Sequence, residues 1–264
     1  MKKVKLIIAT HKKYLMPTDS IYYPLHVGAE GKEDLGYSKD NTGDNISNKN
    51  PYFCELTGLY WAWKNLKYDY IGLVHYRRHF TMKKRKYKSQ KERIENILSS
   101  GEITNLLNKT DIILPKPRNY YIENLYDHYR HTMYVEPLDL TGKIIKEKYP
   151  NYYKEFLKLK KRKKAHMFNM FVMKKEIMSD YCEWLFNILF ELEKEMNKLD
   201  IKYDSFHSRF YGRISELLLD VYINTNDLKY EEVKIMDIDN INWFVKGTSF
   251  LKAKFFGKKY GKSF

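Results

Sequence analysis

The densest run of chemically capable side chains is His75-Tyr76-Arg77-Arg78-His79, which follows directly on the apolar stretch Tyr68–His75 (YDYIGLVH). A planar guanidinium binds phosphate oxygens through two parallel N–H donors. Two adjacent arginines at the C-terminal end of a buried strand, where α/β sheets hold their ligands, would suit a diphosphate. They would also supply the positive charge that a departing diphosphate needs. The competing reading is a strand end solvated by two arginines.

Other groups are less distinctive. Thr42-Gly43-Asp44-Asn45-Ile46-Ser47 offers small polar side chains for a base, a ribose or sugar hydroxyls, and reads equally as an Asx-rich turn. His166–Met173 (HMFNMFVM) brings His166 and Asn169 to the start of an apolar run. Ser208–Glu216 (SRFYGRISE) carries Arg209, Arg213 and Glu216 on a helical pattern. Glu216 is either a general base for an acceptor hydroxyl or the partner of Arg213 three residues before it. One D-x-D occurs, Asp237-Ile238-Asp239. Such a pair can hold Mn²⁺ or Mg²⁺, and can equally be a strand-end turn.

Several chemistries are excluded. The chain has no G-x-x-x-x-G-K-[ST] or G-x-G-x-x-G phosphate loop. It has no H-E-x-x-H and no G-x-S-x-G. Asp40–Asn45 (DNTGDN) has the glycine of a calcium loop in the wrong position and lacks its closing glutamate. The two cysteines, Cys54 and Cys182, make neither a disulfide framework nor a metal spacing and fit a reducing cytosol.

These residues need a scaffold, and the apolar pattern supplies one. Val4–Ala9 reads as a buried strand ending in Thr10 and His11, and residues 28–51 as a long polar loop. Pro51–Leu66 predicts a helix, Tyr68–His75 a strand, 83–95 an exposed basic helix, and Asp111–Leu114 a short strand closed by Pro115-Lys116-Pro117. Residues 121–160 read as helical, and Lys158–Lys164 as a solvated basic loop. Met167–Met173 is expected to be a strand, Ile177–Asn197 and Ser208–Tyr222 helices, and Val233–Ile238 a last strand. The alternation is that of an α/β fold.

Of 264 residues, 43% are hydrophobic, enough for a packed core rather than a disordered chain. The net charge of +15 favours anionic partners. Aromatic side chains, 24 tyrosines among them, can stack on bases or on sugar rings. A nucleic-acid-binding protein is thus one rival reading, although no RNP-like, helix-turn-helix or zinc-knuckle pattern is present. A noncatalytic scaffold is another. Val4–Ala9 is too short for a signal-peptide core, and no stretch reaches membrane-spanning length.

Taken in order, IIATHKKYLMP (7–17), LGYSKDNTGDNISNKN (35–50), ELTGLYWAWKNL (55–66), YIGLVHYRRHF (70–80), HMFNMFVMKK (166–175) and RFYGRISELLL (209–219) resemble one family. It is the glycosyltransferase family described as domain of unknown function 4422, found in capsular and exopolysaccharide gene clusters. The resemblance implies a GT-A-like, Rossmann-type nucleotide-binding sheet flanked by helices, with a helical insertion, over residues 1–244 as a single domain. It implies hexosyl transfer from a UDP-sugar, with galactofuranose or galactose among the sugars transferred. It implies a glycan or lipid-linked acceptor in capsule, exopolysaccharide or O-antigen synthesis, and no nucleic acid. The family word G-F-I-S-E-R-L stands here as Gly212-Arg213-Ile214-Ser215-Glu216-Leu217-Leu218, so the arginine after the glutamate is missing while Glu216 matches.

The mechanism expected from these residues, rather than from the resemblance, seats the nucleotide over the first strand end near Thr10 and His11, with Arg77, Arg78 and His75 stabilising the departing diphosphate in place of a metal. Asp44 and Asn45 contact ribose or donor sugar, His166, Asn169 and Arg209 belong to the donor pocket, and Glu216, or else Asp204, is the base. No cofactor is expected, the alternative being Mn²⁺ or Mg²⁺ on Asp237 and Asp239. The tail at 245–264 interleaves Lys with Phe, Leu and Tyr and contains no acid. It reads as a segment lying on an anionic membrane surface, which would hold a cytoplasmic protein peripherally on the inner face of the cell membrane.

Overall fold

The computed structural model describes residues 2–83, 87–199 and 201–240. The tail at 245–264 lies outside them. Along the chain, strand β1 (Val4–Thr10) is followed by β2 (Tyr22–His26) and β3 (Ser38–Lys39). Helices α1 (Asn50–Phe53) and α2 (Leu56–Asn65) lead into β4 (Tyr70–His75) and β5 (Arg78–Thr81). Next come α3 (Gln90–Ile94), α4 (Ser100–Leu107), β6 (Ile112–Pro115) and β7 (Arg118–Asn119). Three helices follow, α5 (Leu125–Thr132), α6 (Glu136–Lys148) and α7 (Pro150–Lys161), then β8 (Lys164–Ala165) and β9 (Phe171–Lys174). Helices α8 (Lys175–Lys198) and α9 (Phe210–Thr225) precede β10 (Glu231–Asp237).

The described residues form two compact units. The first comprises the chain up to Lys116 with Phe168–Cys182 and Lys229–Asn240, and the second Pro117–Met167 with Glu183–Leu228.

The first unit is built on a mixed sheet. β1 lies between β2 and β4, parallel to both, and β3 extends the sheet beyond β2. β9 runs antiparallel to β4 on one side and to β6 on the other. β10 is parallel to β6 and antiparallel to β5. β5 returns to β4 through the pair His75–Arg78, so β4, β9, β6, β10 and β5 form a closed circuit of pairings. β1 and β4 are apolar on both faces, as strands covered on both sides must be. Leu6, Ile8, Val74, Phe80, Ile103, Ile113 and Val172 meet in one apolar cluster. The circuit brings the C-terminal end of β4, the N-terminal end of β5 and the C-terminal end of β10 to one place.

The second unit is helical apart from the β7–β8 ladder. Phe156 and Leu159 of α7, Ile145 of α6 and Leu218 of α9 are buried. Tyr152 stacks on Trp184 at 4.8 Å and on Tyr222 at 6.2 Å.

Several elements differ from the sequence expectation. The helix expected over Pro51–Leu66 is two helices, broken where Cys54 takes φ +54 and ψ −131. Only Gln90–Ile94 of the 83–95 segment is helical among the described residues, started by the Ser89–Glu92 capping box. The basic run at 158–164 begins inside α7, because Phe156 and Leu159 bury one helix face while Lys158 and Lys161 are exposed and Lys160 pairs with Asp139. The strand expected from Met167 starts at Phe171, since Phe168 and Asn169 have positive φ and interrupt an extended chain.

Candidate functional site

β4 and β5 join through the two-residue turn Tyr76-Arg77, which lifts both arginines to the end of the sheet. Arg78 Nε donates to Asp237 Oδ1 at 3.2 Å, and the two residues are also register partners across β5 and β10. Arg77 Nε lies 4.0 Å from Asp239 Oδ2. Asp239 further accepts from the Tyr14 hydroxyl and from Gln90 Nε2, the latter at 2.8 Å. Arg93 donates to the carbonyl oxygens of Asp237 and Ile238 at 3.4 and 3.0 Å. The guanidinium of Arg78 rests 4.5 Å from the Phe168 ring. The D-x-D residues are therefore ion-pair partners of the arginine hairpin rather than a plain strand-end turn. A divalent cation on Asp237 and Asp239 would share these carboxylates with Arg77, Arg78, Tyr14 and Gln90. Among the described residues, no three His, Cys, Asp or Glu side chains gather so as to hold a metal ion.

An aromatic layer surrounds the hairpin. Tyr76 is buried, with the rings of His11 and Tyr14 edge-on to it at 5.4 and 4.9 Å. Lys12 Nζ lies 5.3 Å from the Tyr76 ring centroid and 5.7 Å from that of Tyr14, and the Arg77 guanidinium 5.4 Å from Tyr76. Such contacts hold cations in place without neutralising them. Burial, reinforced by Asp239, pushes the Tyr14 hydroxyl well above the ordinary phenol range, so it remains a proton donor. Thr10 is fully buried, and its hydroxyl donates to the Lys12 carbonyl at 2.7 Å. It shapes the turn that presents His11 and Lys12.

His75 sits one step inside the hairpin. Its Nε2 is 2.5 Å from the Phe168 carbonyl oxygen. A carbonyl only accepts, so Nε2 carries the hydrogen and the neutral ring leaves Nδ1 as its acceptor nitrogen. Burial holds His75 below the ordinary histidine range, with the Glu55 carboxylate acting in the opposite sense. At neutral pH His75 therefore adds no positive charge to the arginines. Beyond Phe168, Asn169 Nδ2 donates to Glu55 Oε1 at 2.7 Å. Glu55 was not singled out from sequence. No local sequence pattern marks it, because its partner Asn169 is 114 residues away.

Asp44 and Asn45 belong to a loop fastened onto α2. Tyr60 Oη donates to Asp44 Oδ1 at 3.1 Å, and Asn65 Nδ2 to the Asp44 carbonyl at 2.8 Å. Asn45 donates to the Gly43 carbonyl and accepts from Ser47 N. The loop closes around buried Asp40, which accepts from Gly28 N, Ala29 N, Ser47 Oγ and Thr57 Oγ1 at 2.5–3.1 Å.

In the first unit, contacts thus link Thr10, His11, His75, Arg77, Arg78 and Asn169, while Asp44 and Asn45 are held against α2. His166, Arg209 and Glu216 belong to the second unit. There Asp220 grips His166 by Nδ1 at 2.5 Å and by its backbone N–H at 3.1 Å. Glu216 is buried on α9, 3.5 Å from Arg213 Nη1, and Arg209 is exposed just before that helix. Asp204, the alternative base, accepts from the backbone of Phe206 and His207 and pairs with His207 Nδ1 at 2.6 Å.

Comparison with known proteins agrees with this architecture. The chain is similar to a solved structure of the WbbM bifunctional glycosyltransferase in its apo form, with 32% identity and a TM-score of 0.80. The similarity covers 90% of this chain and 46% of the WbbM chain, so this protein spans less than half of that enzyme. No curated protein matches the chain. The family described as Domain of unknown function (DUF4422) matches residues 5–227. With that match over most of its length, the chain belongs to the DUF4422 family, and it shares its mixed α/β build with a glycosyltransferase.

Proposed function

We propose that the protein is a glycosyltransferase that moves a hexosyl unit from a UDP-sugar to a glycan or lipid-linked glycan, in the synthesis of capsule, exopolysaccharide or O-antigen. The observation that carries this reading is the arginine hairpin at the C-terminal ends of β1 and β4. The similarity to WbbM, itself called a bifunctional glycosyltransferase, supports the reaction class. Galactofuranose or galactose is the proposed sugar, on the family resemblance.

The chemistry follows from charge. Breaking the bond between sugar and diphosphate leaves negative charge on the phosphates, and oriented donors there lower the barrier. Asp237 and Asp239 hold Arg78 and Arg77 by their Nε sides. Those two acids offset the charge of the two arginines. Lys12 and Arg93, whose contacts here are with rings, carbonyl oxygens and the Asn240 side chain, add the surplus positive charge. We read the reaction as independent of a metal for that reason. Glu216 is proposed separately as the base for the acceptor hydroxyl, with E216Q expected to lower turnover while leaving UDP binding intact. The tail at 245–264 is proposed to bind anionic membrane. Liposome flotation that is equal with and without residues 246–264 would reject that part.

The central test is thermal stabilisation by UDP, with Mn²⁺ or with EDTA. Stabilisation that survives EDTA and disappears in the R77A/R78A double variant supports the arginine reading. Stabilisation only with Mn²⁺ moves the phosphate chemistry to the carboxylates. No response to UDP refutes the donor.

A further inference from the structure

We propose that Glu55 is a sugar-binding carboxylate of this site, accepting hydrogen bonds from hydroxyl groups of the transferred hexosyl unit. The inference rests on the donor reading above and names a residue that reading does not use.

The position of Glu55 is set by direct contacts. Arg78 lies against the Phe168 ring, the Phe168 carbonyl accepts from His75, and the next residue, Asn169, donates to Glu55 Oε1 at 2.7 Å. A carboxylate thus stands within a short chain of contacts from the arginine hairpin. It cannot be a phosphate ligand, because two anions repel. Beside a site for a sugar diphosphate, a carboxylate fits the uncharged part of the donor.

Glu55 also differs from the acids that brace the fold. Asp237 and Asp239 face arginines, whereas the contact that holds Glu55 comes from a neutral amide. The nearby imidazole of His75 is held neutral by burial. Glu55 is half-buried, so solvent and ligand can reach it. The backbone on both sides of the Glu55–Asn169 bond is strained. Cys54 has φ +54 and Phe168 φ +77, conformations that such residues rarely adopt, whereas asparagine tolerates the φ of +52 at Asn169. Strain of this kind persists where the surroundings fix a functional geometry. A carboxylate with one oxygen steadied by an amide and the rest of its acceptor capacity available is suited to a sugar hydroxyl, since charge-assisted hydrogen bonds are strong and directional. A site built to bond a hydroxyl also rejects analogues that lack it.

The test is calorimetric titration of wild type and E55Q with UDP, UDP-glucose, UDP-galactose and UDP-galactofuranose. Glutamine keeps the length and the oxygen that Asn169 needs, but loses the charge. The expected result is an unchanged Kd for UDP and at least a tenfold weaker Kd for the UDP-hexose that wild type binds best. E55D, which keeps the charge but draws it back by one methylene, should fall between the two, and it reports the same contrast if E55Q does not fold. A UDP-hexose Kd within threefold of wild type, or equal weakening of UDP and UDP-hexose, overturns the assignment while leaving the donor reading intact. Failure of wild type to bind UDP or any of the sugars overturns both.

Discussion

Arg78 and Asp237 are register partners on neighbouring strands, and their side chains meet with Nε 3.2 Å from Oδ1. The arginine comes from the tip of the β4–β5 hairpin and the aspartate from the last strand. A motif that reads as phosphate-binding and one that reads as metal-binding are therefore two halves of one arrangement. The carboxylates aim the guanidinium groups.

On the proposed function, the hairpin is expected to matter far more for turnover than for folding. Loss of both arginines in R77A/R78A should lower kcat/KM by about 100-fold or more, the usual weight of oriented charge at a leaving group. Stability should fall by about 2–3 kcal/mol: the partly exposed Arg77–Asp239 pair contributes little, while loss of the largely buried Arg78 leaves Asp237 without its hydrogen-bonded partner. Steady-state kinetics beside urea unfolding would check it. Parallel loss of activity and stability would mean that the hairpin serves the fold.

The aspartates should behave as positioning residues. D237N and D239N are each expected to reduce kcat/KM on the order of tenfold, the weight of one charge-assisted hydrogen bond. Neither should create a requirement for Mn²⁺. Wild-type turnover that EDTA abolishes and Mn²⁺ restores would reassign both carboxylates to a metal.

Acid should destabilise the protein through its buried histidines. His79 is fully buried, and burial, aided by the neighbouring His75, lowers it to about 3. The unfolded chain takes up that proton near pH 6.5, the folded chain only near pH 3. Stability is therefore intact above pH 6.5 and declines as pH falls towards 3, by about 1.4 kcal/mol per pH unit for each such histidine. His128, lowered to about 4 by burial, and His75 and His26, also lowered, act in the same sense. Replacing His79 by Leu should flatten the slope between pH 6 and 4 by about 1.4 kcal/mol per unit, the share of one proton. A slope identical to wild type in pH-dependent urea melts would show that the proton binds elsewhere.

The loop that carries Asp44 depends on Asp40 and Gly43. In D40N one of the two carboxylate oxygens becomes an NH₂ facing existing donors, which should cost roughly 1–3 kcal/mol. Gly43 has φ +56, and a Cβ there would sit 2.1 Å from Asn65 Oδ1. G43A is therefore expected to unfasten the loop from α2, read as faster amide exchange at 40–47 with the β1 and β4 amides unaffected. Unchanged exchange would show that Asn65 moves aside freely.

Much of the scaffold was legible in the sequence. Strands β1 and β4 announced themselves as continuous apolar runs, because a strand covered on both faces needs nothing else. Helices α8 and α9 followed from their apolar repeat, and the chemistry of HYRR followed from residue type and its place after a strand. These are local properties, set by side-chain polarity and backbone period. What only the tertiary structure decided are pairings across long stretches of chain. Glu55 and Asn169 are 114 residues apart and Arg78 and Asp237 are 159 apart, and no short-range pattern encodes which acid meets which cation. The break at Cys54 was hidden for the same reason. Leu56, Leu59 and Ala62 keep helical spacing on both readings, and the positive φ is imposed by the fold around it, against the preference of a cysteine. Local polarity determined the most apolar elements, such as β1, β4, α8 and α9, whereas long-range packing determined strands such as β2 and β5 and which charges face one another.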